Sequence, residues 1–247
     1  MSTFITLLIN EIKRIYLHAS TYFVIAFFLL LMGFCYLYIL FLYSRSTMEI
    51  CTLQSFFNLF WIPTLCIIPL LCMRTFSEER RLGLLESLLS TAIGTHRLVF
   101  SKFLATYGLY LTLWGLSFFF PVFSQYWLRQ DLVAPLFTRQ VFLGGCIFLM
   151  TSSFLFISLG LFASSLTRSQ SVAGLLCFSF LFICFVGFRF LGEVVDPQMW
   201  NVYFEFPQVL DNLCAGIFDV RPCLFYLLSG TLVLELTALV VEAKSLR

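Results

Sequence analysis

Charge is scarce in this sequence. Asp, Glu, Lys and Arg make up 11% of its 247 residues, where a soluble domain carries about 25%. Several chemical signatures are missing as well. There is no GxxxxGK(S/T) phosphate loop, so the chain holds no ATPase of that type. GxSxG and HExxH are both absent, which removes the usual serine and zinc hydrolase signatures. The only two histidines are His18 and His96, both near span ends and far along the chain from the serines at Ser152–Ser165. No Lys/Arg-rich run interleaves with aromatics, so nucleic acid is not an expected partner. The nine cysteines form no CxxC. Scattered through apolar segments, they read as small buried hydrophobes rather than metal or redox ligands. Cys214 and Cys223 flank one loop, which leaves a disulfide there open. No cofactor and no metal are expected, and the chain does not read as an enzyme.

What the sequence has is apolar surface. Hydrophobic residues reach 60%, with 32 Phe. One water-soluble core could not hide that much, so the composition implies an integral membrane protein. A helix needs about 20 apolar residues to cross the hydrocarbon layer. Six segments qualify: 21–43, 56–73, 98–123, 141–164, 171–191 and 223–241. The expected fold is all-α, one transmembrane domain over 1–247. The second segment contains Pro63 and Pro69, which should kink it. The first apolar segment is too long for a signal sequence and is expected to stay as an anchor.

Orientation follows from Lys and Arg. With both termini inside, ten of the fifteen basic residues fall on the inner side, among them Lys13, Arg14, Arg74, Arg80, Arg81 and Lys244. Arg45, Arg129, Arg139, Arg189 and Arg221 fall outside. A bacterial cytoplasmic membrane with both ends cytoplasmic is the expectation.

Three pieces read as helices that do not span. Phe4–Tyr16 sets Phe4, Leu8, Ile12 and Ile15 (or Leu7) at helical spacing, with Glu11, Lys13 and Arg14 elsewhere. It is expected to lie in the membrane interface. Pro207–Phe218 sets Val209, Leu210, Leu213 and Ile217 on one side and reads as a short outer helix with Pro207 in its first turn. The third piece is Ser77–Ser90, SEERRLGLLESLLS. Thr75 or Ser77 can cap its start, and Glu78 and Glu79 suit the positive end. Leu82, Leu85 and Leu89 share a side, and Glu79, Gly83, Glu86 and Ser90 share another. The spacing predicts an amphipathic helix of about three turns. It fits either a charge-laced linker on the lipid surface or a docking helix. A lipid-surface linker would favour Lys and Arg; the mixed signs of Glu78, Glu79, Arg80 and Arg81 suit a protein partner.

These residues carry a resemblance. RTFSEERRLGLLESLLS, residues 74–90, resembles the segment after the second span of type 2 ABC exporter permeases, whose pattern is roughly SEE-(K/R)-(R/K)-x-G-T-x-E-x-L-L. Ser77, Glu78, Glu79, Arg80, Arg81, Gly83, Glu86, Leu88 and Leu89 match, and Leu84 departs where Thr is common. Asn10–Tyr38 resembles the family's N-terminal E-(L/I)-(K/R) helix and aromatic first span. Ser158–Ala173, SLGLFASSLTRSQSVA, looks like its fourth-span ending. Phe206–Arg247, with Gly216 and Asp219, resembles its last stretch. The nearest branch by this resemblance is that of gliding-motility and copper-related exporter clusters.

The resemblance implies a permease subunit working with a separate ABC ATPase subunit and a second permease, identical or paralogous. It implies that Ser77–Ser90 is the cytoplasmic coupling helix. Ser77, Glu78, Glu79, Arg80, Arg81, Gly83 and Glu86 are then its coupling residues. The alternative is a scaffold or channel-like protein that recruits a non-ATPase partner. A secondary transporter should carry intramembrane charge in several spans. Here Glu235 alone sits well inside one, where charge is expensive. It reads as a buried protonated acid, as a partner of Arg189, or as a contact for cargo or an ion. Ser152, Ser153, Ser158, Gly160, Ala163, Ser164 and Ser165 form a small-residue surface on the fourth span, suited to close packing or to a substrate path.

Overall fold

The structure is a computed structural model that describes residues 2–45, 52–81, 83, 94–127, 139–187 and 206–245. All of its described elements are helical: α1 (Ser2–Leu17), α2 (Ala19–Arg45), α3 (Thr52–Asn58), α4 (Trp61–Cys72), α5 (Ser77–Arg81), α6 (Thr95–Ser117), α7 (Phe119–Trp127), α8 (Arg139–Leu166), α9 (Gln170–Phe182) with a π turn at Ile183–Gly187, α10 (Phe206–Cys214) and α11 (Val220–Ser245). Among the described residues five helices are long and apolar enough to cross a membrane, at Ala19–Leu42, Thr95–Ser124, Arg139–Leu166, Gln170–Gly187 and Val220–Lys244.

The sixth expected segment, 56–73, is divided. A turn at Leu59–Phe60 separates α3 from α4. Pro63 has no N–H to offer the carbonyl of Leu59, four residues before it. That carbonyl instead accepts from Ile62 N at 3.3 Å. Pro69 sits inside α4 without ending it. The expected kink is therefore a break, and it lies on the N-terminal side of the first proline.

Contacts set the direction of each helix. Phe28 meets Trp114 and Tyr36 meets Phe120, so α2 and the α6–α7 pair run parallel. Tyr36 also meets Phe56, while Arg74 reaches Ser20, so α3 and α4 run back along α2. Phe60 packs on Phe148 and Cys72 beside Ile157, which makes α4 and α8 parallel. Phe103 packs on Phe154, and Tyr107 Oη donates to Met150 O, which makes α6 and α8 antiparallel. Lys244 reaches Leu166, and Gly230 lies against Phe154, so α11 runs with α8. The consequence is an alternating bundle. One end gathers the α1–α2 turn, α5, the start of α6, the α8–α9 turn and the end of α11.

Small residues let the helices approach. A methyl on Gly160 would stand 2.6 Å from Cys72 Sγ, and one on Gly145 would stand 2.4 Å from the Phe57 ring. This part of the fourth-span surface is packing. Ser152, Ser153 and Ser158 are buried and return their hydroxyls to carbonyls of their own helix, a common way to satisfy serine in a helix. The outer faces are apolar: Phe23, Leu30, Phe34 and Leu37 on α2 are each more than 60% exposed. In water such a contiguous patch would be a liability; lipid covers it without cost.

Two short helices end earlier than their apolar spacing suggests. In α10, Val209, Leu210 and Leu213 point inward, but Ile217 is exposed. The helix stops at Cys214, and Gly216 takes φ +83. Gly216 N then donates to Leu213 O and Ile217 N to Asn212 O, the paired bonds of a Schellman ending. Likewise α5 closes at Arg81, and Gly83 takes φ +70. A right-handed helix does not continue through that conformation, so Ser77–Ser90 is not one unbroken helix. The rest of that stretch, 84–93 with Glu86, lies outside the described residues, as does Arg189. Cys214 and Cys223 are both buried and are not joined by a disulfide.

Candidate functional site

The site is built where α1, α5, α6 and α8 meet. Its base is Lys102, about two helical turns into α6 and only 1% exposed. An ammonium so buried must be paired. Its Nζ donates to Glu79 Oε1 at 2.6 Å and to Glu11 Oε1 at 2.9 Å. The Phe76 ring centroid lies 5.5 Å from the same nitrogen. Arg14 adds a second cation: it pairs with Glu79 Oε1 and, at 2.9 Å, with Glu11 Oε2. Two carboxylates thus face two cations. Burial would lower the Arg14 pKa, but Glu79 first and Glu11 next raise it above its ordinary value.

This arrangement explains α1. Phe4 stacks on Phe100, Glu11 meets Lys102 and Tyr16 Oη bonds Thr112 Oγ1, so α1 lies lengthwise and parallel on α6. Glu11 is the inward residue, whereas apolar spacing alone puts it with the polar face. Ile5, Ile9 and Ile12 form the exposed stripe instead.

The start of α5 is held from across the bundle. Thr75 Oγ1 donates to Cys72 O, and Ser77 Oγ to Met73 O, so neither caps the helix as expected. The acceptor is Ser164 Oγ on α8, which takes Phe76 N at 3.2 Å and Ser77 N at 3.3 Å. Free N–H groups at a helix start need such an acceptor. The last carbonyls of α8, next to Ser164, are met by cations. Arg80 Nη1 donates to Ser165 O at 2.8 Å, and Lys244 Nζ donates to Ser165 O and Leu166 O. Both complement the negative end of the helix dipole. Burial, then the charge of Arg168, lowers the Arg80 pKa.

SEERR therefore divides in two. Ser77 and Glu79 are buried and tie the segment to α8, α6 and α1. Glu78 and Arg80 are half-buried, while Arg81 and Gly83 face outward.

Residues 47–242 match the family described as ABC-2 family transporter protein. The chain belongs to the ABC-2 transporter family. It is a multi-pass membrane permease component of an ABC transporter, a part of the transport assembly that is not itself catalytic. ABC-2 permeases normally work with an ATPase subunit in a membrane complex. No curated protein matches the chain.

In this ABC-2 permease Glu235 stands apart from the cluster. It lies on α11 with 67% of its side chain exposed, and its Oε2 is 3.1 Å from His96 Nδ1 at the start of α6. A buried acid at that position is not what is found. Four members of the α5 site escaped the sequence reading: Glu11, Arg14, Lys102 and Ser164. For Glu11 and Lys102 the signal was present as charge at or near the border of an apolar segment. For Ser164 it was one serine among several, with nothing local to separate it from packing serines.

Proposed function

We propose that this permease is the transmembrane subunit of an ATP-driven exporter, and that the end of the bundle bearing α5 is cytoplasmic. ATP hydrolysis in a separate ATPase subunit would be received by Ser77, Glu78, Glu79, Arg80, Arg81, Gly83 and Glu86. The single observation that carries this reading is the anchoring of α5. Its buried side chains join three other helices, and its exposed ones are left for a partner. Movement of α5 would therefore draw on α1, α6 and α8 together.

The remaining features follow from the same reading. The α3–α4 pair makes the sixth crossing of a single permease domain, in line with its antiparallel path along α2. Exposed Ile5, Ile9 and Ile12 suit the free face of α1 to lipid. The Lys/Arg bias favours both termini in the cytoplasm of a bacterial inner membrane. A second permease chain, identical or paralogous, completes the pathway. The resemblance of 74–90 and 158–173 supports a place in the gliding-motility and copper-cluster branch.

The test is a mild-detergent pull-down assayed for a nucleotide-hydrolysing subunit. Arg81→Glu, at an outward-facing position, should abolish co-purification of the ATPase while the chain still folds. Glu79→Ala should retain some ATPase but uncouple its hydrolysis from transport. Recovery of the intact chain with no ATPase, after crosslinking too, would instead favour the scaffold or channel-like reading.

A further inference from the structure

A cavity of about 200 Å³ opens beside the ion cluster, between the α1–α2 turn and α4–α5. Its floor is apolar: Val24, Leu70, Leu71 and Leu109. Its polar wall includes His18, Ser20, Arg74, Thr75 and Glu78. Glu79 and Arg14 also reach it, but they are already matched with Lys102 and Glu11.

Arg74 and Glu78 are not matched. Arg74 Nη1 donates to Ser20 Oγ at 2.5 Å, yet its Nε is buried with no acceptor. Among the described residues neither Arg74 nor Glu78 has an opposite charge within ion-pair distance. One wall of the cavity thus offers a guanidinium and a carboxylate, neither in an ion pair, over an apolar floor. A purely anionic ligand would leave Glu78 facing it. A ligand with both charges would satisfy both.

We infer that this cavity binds the head group of a zwitterionic phospholipid whose nitrogen carries N–H donors, as in phosphatidylethanolamine. The phosphate accepts from the Arg74 guanidinium. The ammonium donates to Glu78. The first acyl methylenes lie on Leu70, Leu71 and Val24. The inference goes beyond the transport reading and needs only a membrane around the bundle, so its test involves no ATPase.

The full chain in mild detergent is unfolded thermally with mixed micelles of dioleoyl-phosphatidylethanolamine, -phosphatidylcholine or -phosphatidylglycerol. Phosphatidylethanolamine should raise Tm by about 2–4 °C, the size of a 1 kcal/mol effect on a chain of this length. Phosphatidylcholine, which lacks N–H donors, and phosphatidylglycerol, which lacks the ammonium, should each raise it less. Arg74→Gln should remove the response to phosphatidylethanolamine. Glu78→Gln, at a half-buried position, should bring phosphatidylethanolamine down to the level of phosphatidylcholine, and it keeps the test open if the Arg74 variant fails to fold. Equal shifts with all three lipids would overturn the inference, as would an unchanged phosphatidylethanolamine preference in Glu78→Gln. Soluble phosphoethanolamine is the remaining arm; an equal shift with it would assign the cavity to a free head group and overturn the lipid.

Discussion

The Lys102 ammonium and the Glu79 carboxylate lie 2.6 Å apart, with side chains 1% and 2% exposed. One belongs to a long apolar helix and the other to a five-residue helix in the charged stretch that precedes it. Their contact makes the short helix a structural part of the bundle rather than a strap across its end. Glu11 brings α1 into the same contact, so three segments share one buried ion.

Removing Lys102 should therefore be costly. Lys102→Met leaves Glu11 and Glu79 buried with Arg14 alone, and breaking a buried pair costs about 3–5 kcal/mol. Thermal unfolding in detergent should show a fall of roughly 2–4 °C for each kcal/mol. Adding Glu79→Gln should recover part of the loss. Additive losses in the double variant would show that the two groups act separately.

Ser164→Ala tests the tie between α5 and α8. The hydroxyl is the shared acceptor for Phe76 N and Ser77 N, and loss of a helix-start acceptor costs about 1 kcal/mol. Hydrogen exchange at Phe76 and Ser77 should quicken, with little change in the middle of α8. Exchange that rises evenly along α8 would point to a packing defect instead.

Gly144→Ala tests the seat of α10. A methyl there would stand 2.4 Å from the Leu213 carbonyl oxygen. Backbone cannot yield as a side-chain tip can, so overpacking should cost about 1–3 kcal/mol. Gly108→Ala, which meets nothing within 4 Å, is the control and should hold Tm or raise it slightly, since Ala favours a helix interior over Gly.

Glu235→Gln tests the pair on the outer face. A charge within a span is expensive, so Glu235→Gln should leave expression and Tm unchanged or raise them. If Glu235 and His96 act in transport, Glu235→Gln and His96→Gln should each change transport to a similar extent. Unchanged transport in both would make the pair a surface contact.

Much of this protein was legible in its sequence for one reason: lipid imposes a simple rule. Long apolar runs must be helices there, because each backbone polar group has to be satisfied within its own segment. That rule alone gives the spans, their alternation and the charged stretch as a thing set apart. Local chemistry also marks breaks, yet their positions follow from hydrogen bonds. Pro63 announces an interruption, and the Leu59 carbonyl, which takes Ile62 N in a turn, marks that it falls before Trp61. Gly83 could be read as a helix residue by spacing; its φ of +70 ends the helix.

The partners of the charges were decided by tertiary structure. Glu11 and Lys102 are 91 residues apart, and Ser164 is 88 from Phe76. Nothing in local periodicity links such positions. The charged stretch SEERR advertises exposure, but a buried ammonium in the neighbouring helix makes it cheaper to turn Glu79 inward than to leave Lys102 unpaired. Sequence determined that a charged helix would sit at the end of an apolar bundle. Only packing determined which of its charges hold the bundle and which face outward.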